Sequence, residues 1–387
     1  MTYLGENIKK LGFGFMRIPT IGDEVEFGQA SEVDIEQVKE MVDIFMAGGF
    51  SYFDSSWIYM GGKSEEALKT AVVDRYPRDS FQIATKCPVF VVKTEAEAKS
   101  MIWTSLKRLG LDYVDFYLLH NLGGSRTKYY DDYGMWDYLK ELKEKGVVKH
   151  IGFSMHDTAE TLDRLLTEHP EMEFVQFQMN YDDWESPTVQ SRKCLETALR
   201  HQKSVVVMEP LKGGLLTTPP ESVKAVFHEA NPGVSLANWG LRFAASQPGL
   251  ITVLSGMSTL AQAKDNVSFM TDFKPLSKEE LKVIDKAREA LSRIESIPCT
   301  GCQYCVEGCP QGIPIPNVFG AYNRMLVYGD QVSAFGQYSI EVLKKGRAED
   351  CQACEACEQV CPQHIGIIER LKEVARDFDT QPRMFAD

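Results

Sequence analysis

No stretch of this chain holds the roughly 20 consecutive apolar residues needed to span a bilayer. Its first residues, MTYLGENIKKLG, lack the basic region and apolar core of a secretory leader. Those two absences point to a cytoplasmic protein with no membrane partner. Basic residues are in deficit too: 42 Lys and Arg face 55 Asp and Glu, a formal net charge of -13. Nucleic-acid phosphates are held by clustered cations, and with no basic stripe in the sequence a nucleic-acid partner is not expected. Also missing is a G-x-G-x-x-G turn after the first candidate strand, with which open doubly wound sheets cradle a dinucleotide. Cysteine is scarce at first, only Cys87 and Cys194 preceding Pro298, and then crowded, eight of the ten lying beyond it. In an intracellular chain such crowding means metal or redox chemistry rather than disulfides, and the shift in composition marks a domain boundary.

What is present describes a globular protein: 387 residues, 44% hydrophobic and 25% charged, enough for one large domain and a small one. The spacing of apolar residues predicts strands over 10–16, 52–55, 81–87, 114–120, 150–155, 174–179, 204–209 and 251–255. Helices are expected over 34–47, 64–74, 96–109, 135–145, 158–168, 189–201, 236–246 and 260–269. Strands such as VDFYLLH and SVVVME are apolar on both faces, as in a parallel sheet covered by helices. Eight strand–helix units of this size match an α/β chain folded as a (β/α)8 TIM barrel. We therefore expect a barrel over residues 1–275 and a charged connecting helix over 276–298, opened by a Ser277/Glu280 capping box. A cysteine-rich domain over 299–387 follows, ending in a charged tail expected to fray.

On this reading Asp54 ends the second strand, Tyr59 lies in the loop beyond it, Lys86 ends the third strand and His120 the fourth. All four belong to the C-terminal rim, where barrel loops build their sites. A Lys beside a phenol favours the phenolate and lowers the Tyr pKa from about 10, making Tyr59 a usable proton donor. Asp54 would hold the ammonium and His120 would hydrogen-bond the reacting oxygen. Taken singly, each has a blander reading, a structural ion pair or a capped strand-end histidine; convergence of four on one rim favours chemistry.

The runs FDSSWIYMGGKSEE, IATK and DFYLLHN resemble the aldo-keto reductase family, whose Asp, Tyr, Lys and His tetrad matches Asp54, Tyr59, Lys86 and His120. The likeness extends over roughly residues 10–269, through LGFGFMR, IGFSMH, QFQMNY and EPLKGGLL. It implies hydride transfer between NADP(H) or NAD(H) and a carbonyl or alcohol substrate. It further implies cofactor contacts near Gly14 and Met16, at Asp54, and at Ser154 and Gln178 for the carboxamide. Met155 stands where the family usually has Asn, with His156 beside it, and Met208 replaces the aromatic residue that stacks on the nicotinamide, offering a softer thioether contact. Leu211 and Gly213 match the segment covering the pyrophosphate. Gly256 and Gln262 replace the family's usual Lys and Arg for the 2'-phosphate, whereas Asn266 is retained for the adenine. Trp57, Tyr129, Tyr130 and Tyr133 are expected to rim the same mouth, and Cys87 and Cys194 to be buried, inert thiols.

The late cysteines stand on their own spacing. Cys299-x2-Cys302-x2-Cys305-x3-Cys309-Pro310 recurs as Cys351-x2-Cys354-x2-Cys357-x3-Cys361-Pro362. Zinc sites pair C-x2-C units, whereas three cysteines at this interval followed by Cys-Pro form the bacterial ferredoxin pattern. In two-cluster modules the fourth Cys ligates the other cluster. One 4Fe-4S cluster is thus assigned to Cys299, Cys302, Cys305 and Cys361, and a second to Cys351, Cys354, Cys357 and Cys309. The insert between the motifs reads as helical, giving a small, mainly helical ferredoxin-like domain. The clusters either exchange electrons, with a redox protein partner or through a flavin for which no sequence feature identifies a site, or act as staples in a lobe too small for its own core. Two functions follow: an NAD(P)H-dependent carbonyl oxidoreductase with Tyr59 as proton donor, or an electron-transfer or docking subunit whose barrel is weakly active.

Overall fold

The structure, a computed structural model, describes residues 4–5, 7–21, 32–299, 301, 303–361 and 363–381. Internal contacts divide the chain into two units. The first comprises Met1–Thr217 with Asn231–Ile284, and the second Thr218–Ala230 with Asp285–Asp387. The division falls inside the charged helix, and residues 218–230 from the middle of the chain belong to the second unit.

In the first unit the described strands β1 (Leu11–Gly14), β2 (Tyr52–Asp54), β3 (Gln82–Cys87), β4 (Val114–Leu122), β5 (Val148–Met155), β6 (Phe174–Gln178), β7 (Ser204–Met208) and β8 (Leu250–Ser255) close into one parallel barrel in sequence order. Its helices are α1 (Ile35–Ala47), α2 (Lys63–Leu68), α3 (Glu95–Leu109), α4 (Thr127–Asp132), α5 (Met135–Glu144), α6 (Ala159–Glu168), α7 (Ser191–Arg200), and, beyond α8 (Glu221–Ala230) of the other unit, α9 (Leu236–Ala245) and α10 (Leu260–Met270). The helix α11 (Lys278–Ser292) opens with the expected reciprocal bonds between Ser277 and Glu280, at 2.7 and 3.2 Å. The sequence pattern missed α4 and α8.

Alternation along the strands sorts two cores. Tyr52, Ala84, Phe116, Leu118, Phe174 and Val206 fill the barrel interior, while Phe53, Ile83, Tyr117, Leu119, Val175 and Val207 pack into the layer beneath the helices. A period of two then turns Asp54, Lys86 and His120 inward at the ends of β2, β3 and β4. Gly152 explains how tightly the interior closes: a Cβ there would lie 2.4 Å from the carbonyl oxygen of Phe174, its register partner on β6.

The second unit has its own core, in which Ile315, Val318, Phe319, Phe335, Leu371 and Phe378 are buried. The insert between the cysteine motifs is helical, as α13 (Ile315–Tyr328) and α14 (Gln331–Glu341), flanked by the single turns α12 (Tyr304–Glu307) and α15 (Ala356–Gln359). The end of the tail expected to fray, residues 382–387, lies outside the described residues; after the second cysteine motif the chain forms α16 (Ile367–Val374), continued by a wider turn over Ala375–Asp379. Its apolar face is buried, and Asp379 accepts hydrogen bonds from Tyr338 at 2.6 Å and Arg347 at 2.7 Å. Among the described residues no helix is long and apolar enough to cross a membrane.

Candidate active site

The loop Ser55–Gly62 carries Tyr59 and is held from three sides. Ser55 Oγ lies 2.7 Å from Ser64 Oγ, which donates to the Phe15 carbonyl at 2.8 Å. Arg108 donates to the Trp57 carbonyl at 2.7 Å and to the buried Glu65 at 3.2 Å, and Glu65 accepts from Thr85 at 2.7 Å. Met60, Gly61 and Gly62 all take positive φ (51°, 64° and 97°). At Gly62 a Cβ would sit 2.6 Å from the Arg108 guanidinium carbon, so only glycine admits both the backbone and the arginine.

Within this frame Lys86 Nζ donates to Asp54 Oδ1 at 2.5 Å and to the Ser55 carbonyl at 2.7 Å, with both charged side chains at most 4% exposed. The same ammonium lies 5.0 Å from the centre of the Tyr59 ring. The His120 ring meets Tyr59 edge-on at 5.6 Å between centroids, and Phe90 stands 6.2 Å from the imidazole. His120 Nδ1 lies 2.9 Å from Ser56 Oγ, leaving Nε2 without a protein partner among the described residues. Tyr59 and His120 remain partly exposed, so the four side chains form a floor with its ion pair sealed below and its phenol and imidazole reachable from the mouth.

The electrostatics depart from expectation at one point. Burial opposes a charge on Lys86, but Asp54 and then Tyr59 outweigh it, and its pKa ends above the ordinary value. Burial lifts the Asp54 carboxyl above its usual range, with Lys86 pulling the other way. For Tyr59 burial is also the largest effect: its pKa rises above 10.0 although Lys86 lowers it, and Asp54 and Glu209 add to the rise. A phenolate in this low-dielectric floor costs more than one ammonium restores. Burial, then Lys86, His156 and Arg126, hold His120 well below 6.5, so its imidazole is neutral.

Ser154, Gln178 and Met208 end β5, β6 and β7 on the inward face. Ser154 Oγ accepts from the Asn121 amide at 2.9 Å, and Gln178 Nε2 donates to Asp183 at 2.5 Å. Met155, one residue off that face, is buried beneath the helices. Gly14 lies beside Ser255 and Gly256; Met16 is half exposed. Leu211 packs over Gly240, while Gly213 has φ 67° and its carbonyl accepts from Arg17 at 3.1 Å. Gly256 faces open space, Gln262 caps the Ser258 amide at 2.7 Å, and Asn266 is buried, donating to Ser255 at 2.9 Å. Asn121 Oδ1, buried and without a protein partner, marks an unmet hydrogen bond at the rim.

Of the aromatic residues expected around the mouth, Tyr130 does not line it. It is fully buried, and its hydroxyl donates to the carbonyls of His120 and Cys87, the latter at 3.1 Å. Tyr129 and Tyr133 face each other at 6.4 Å, and Trp57 is covered by Arg108 at 4.9 Å. Cys87 and Cys194 are buried, and burial pushes each thiol up to about 12. Sequence reasoning missed Ser56, although its place two residues after Asp54 was a usable signal.

In the second unit the cysteines ring two hollows, each with about 320 Å³ of empty space partly open to solvent. Cys309, Cys351, Cys354 and Cys357 line one together with Ile313, Ile315 and Leu371. Cys299, Cys305 and Cys361 line the other with Phe319, Ile365 and Ile367. Cys302 lies outside the described residues. Among the described residues no three His, Cys, Asp or Glu side chains converge as they would on a single metal ion; soft thiolates around an apolar hollow are instead the donor set of an iron–sulfur cluster.

Comparison with known proteins agrees with this architecture. Residues 10–289 match the aldo/keto reductase family, and residues 298–365 match a 4Fe-4S dicluster domain. The chain is 25% identical over 310 residues to the uncharacterized oxidoreductase YqkF of Bacillus subtilis, covering 71% of this chain and 94% of that protein. It is 27% identical over 327 residues to L-galactose dehydrogenase of Arabidopsis thaliana, covering 76% and 91%. A holo-form aldo-keto reductase from Bacillus halodurans superposes with a TM-score of 0.59 at 24% identity, covering 75% of this chain and 96% of that one. An aldo-keto reductase from Klebsiella pneumoniae, solved in complex with NADPH, gives 0.57 at 20% identity, covering 74% and 95%. The chain thus belongs to the aldo/keto reductase family, an oxidoreductase built on a parallel (β/α)8 barrel and joined in sequence to a 4Fe-4S dicluster domain.

Proposed function

We propose that this protein binds NAD(P)H across the barrel mouth and reduces an aldehyde or ketone, or oxidises the corresponding alcohol, with Tyr59 as the proton donor. The observation that carries the reading is the sealed Asp54–Lys86 pair beneath a reachable Tyr59 and a neutral His120. The rim suits the cofactor: Ser154, Gln178 and Met208 face inward on adjacent strands, and Asn121 Oδ1 waits for a donor. When bound, the dihydronicotinamide supplies the hydride that adds to the carbonyl carbon. The chain's own residues manage the oxygen. His120 Nε2 orients the carbonyl, the Tyr59 O–H transfers its proton as negative charge develops there, and Lys86, kept charged by Asp54, stabilises the phenolate left behind. The family's usual cations are missing at 256 and 262, so NADH is a natural partner as well as NADPH. In the second unit Cys299, Cys302, Cys305 and Cys361 would hold one 4Fe-4S cluster, and Cys351, Cys354, Cys357 and Cys309 another, supplying single-electron storage. The test is oxidation of NADH or NADPH, without oxygen, in the presence of aldehydes and ketones. Tyr59→Phe should lower kcat by about 10²–10⁴-fold, and undiminished turnover in that variant would remove Tyr59 from the mechanism.

A further inference from the structure

Every described arginine except Arg17 and Arg126 has a carboxylate within ion-pair distance. Arg17 is exposed and tied to the Gly213 carbonyl. Arg126 is partly buried and ends the short turn Gly124–Arg126 that follows β4, the strand that carries His120. Its Nε donates at 2.8 Å to the carbonyl of Asn121, the residue next to His120. The loop around it is fixed by bonds from the Gly123 amide to Thr127 at 3.1 Å and from the Gly124 amide to Asp157 at 2.9 Å. Tyr130 ties the following helix α4 back to the His120 carbonyl. With Nε satisfied, the two Nη groups have no protein partner among the described residues. A guanidinium held by one edge and open along another is a two-pronged donor, whose natural complement is a planar carboxylate.

The charges around it sort the mouth by side. Arg126 bears on both His120 and His156, while Glu209, at the end of β7, bears on His156 and Tyr59. In an eight-stranded barrel closed in sequence order, β4 and β7 stand well apart around the rim. An anion is therefore drawn to the β4 side and repelled from the β7 side. Building on the carbonyl-reductase reading above, the geometry points to a substrate that is a short carbonyl acid, an oxo acid or semialdehyde, whose carboxylate is gripped by the Arg126 Nη groups while its carbonyl lies over Tyr59 and His120. Glu209 disfavours a more highly charged phosphate head.

The test compares succinic semialdehyde with butanal, which has the same chain length and no carboxylate, using the full-length protein purified without oxygen. Wild type should favour the acid in kcat/KM by about tenfold or more, as expected for a charge-assisted bidentate pair. In Arg126→Met that ratio should fall by a similar factor, whereas Arg126→Lys, which keeps the charge but not the fork, should retain part of it. Calorimetry with succinate gives a readout free of turnover, and its Kd should weaken about tenfold in Arg126→Met. An acid-to-neutral ratio near one in wild type, or unchanged in Arg126→Met, would overturn the carboxylate site while leaving carbonyl reduction standing. Succinate binding that depends on Arg126, with neither aldehyde turned over, would keep the anion site and remove the reductase reading instead.

Discussion

Lys86→Met isolates the electrostatics of the floor from its packing. Methionine roughly keeps the volume of a side chain that is 1% exposed, but removes the charge and the two bonds that Nζ donates, to Asp54 at 2.5 Å and to the Ser55 carbonyl at 2.7 Å. Asp54 Oδ2 is already buried without a partner, so the substitution leaves both carboxylate oxygens unmet. Removing one member of a buried pair costs about 3–5 kcal/mol. The deficit should depend on pH, with a fixed sign. Without the ammonium the Asp54 pKa rises further, so the folded variant retains a proton that the unfolded chain releases, and its stability relative to wild type falls as pH climbs past the Asp54 value of the wild-type fold, which itself already stands above 3.8. Each pH unit is worth about 1.4 kcal/mol, so the full deficit accumulates over about 2–4 units. The assay is urea unfolding of both proteins between pH 5 and about pH 8, followed by tryptophan fluorescence, because Trp57, Trp103, Trp136, Trp184 and Trp239 all lie in the first unit and report the barrel transition separately from the second. Asp54→Asn combined with Lys86→Met removes the orphaned charge and should recover much of the loss. A gap of equal size at both ends of that range, or a double variant no more stable than the single one, would refute this account.

Two further outcomes can be checked directly. Carbonyl reduction should show no inflection near pH 6.5, because burial keeps His120 neutral on both sides of that value, and it should decline only above 10.0, where Tyr59 begins to lose its proton; a pH–kcat profile with a midpoint near 6.5 would contradict the neutral imidazole. Paired cysteine substitutions should separate the two hollows. Cys305→Ser with Cys361→Ser alters one hollow and should leave about half of the roughly eight irons per chain expected of two such clusters, whereas Cys305→Ser with Cys309→Ser alters both and should leave far less. Equal iron loss in the two double variants would refute the crossed grouping.

The barrel was legible because its strands obey two patterns at once. VDFYLLH is apolar on both faces, which identified a covered parallel strand, and the same period of two turned His120 inward and Leu119 outward. Some strand ends fell within a residue or two because a polar residue at the mouth, such as Asp54 or Ser255, breaks the apolar run. Tyr130 was not legible: a tyrosine in a polar stretch carries no sign that its hydroxyl will be buried against the His120 carbonyl. Nor was the helical end formed by α16 and the turn after it, whose Phe378 meets Tyr322 of α13 and Phe335 and Tyr338 of α14, far away in sequence. Arg126 looked like any loop cation, and only the absence of a carboxylate beside it, a property of three-dimensional neighbours, sets it apart. The Tyr59 pKa was misjudged for a related reason. The sequence shows that a lysine is near, but the desolvation that outweighs it depends on how much protein surrounds the ring.

That reversal bears on which direction the floor is built for. A phenol whose pKa stands above 10.0 is fully protonated at neutral pH, ready to give a proton to a developing alkoxide and poorly prepared to take one from an alcohol. If Tyr59 is the proton donor proposed above, Lys86 would not need to ionise it beforehand; its value would lie in the transition state, where the charge arriving on the phenol oxygen meets an ammonium already oriented and already out of water. Asp54 keeps that ammonium charged despite burial, and the Ser55 carbonyl fixes its direction. On the proposed mechanism, this arrangement would protonate an oxygen as a hydride pair reaches the adjacent carbon. The cysteine-lined hollows of the second unit suit electrons that move singly. Because these two kinds of transfer do not exchange directly, the carbonyl reduction proposed for the first unit would not itself need the clusters, and any contribution of theirs to turnover would require a carrier able to accept two electrons and release them one at a time.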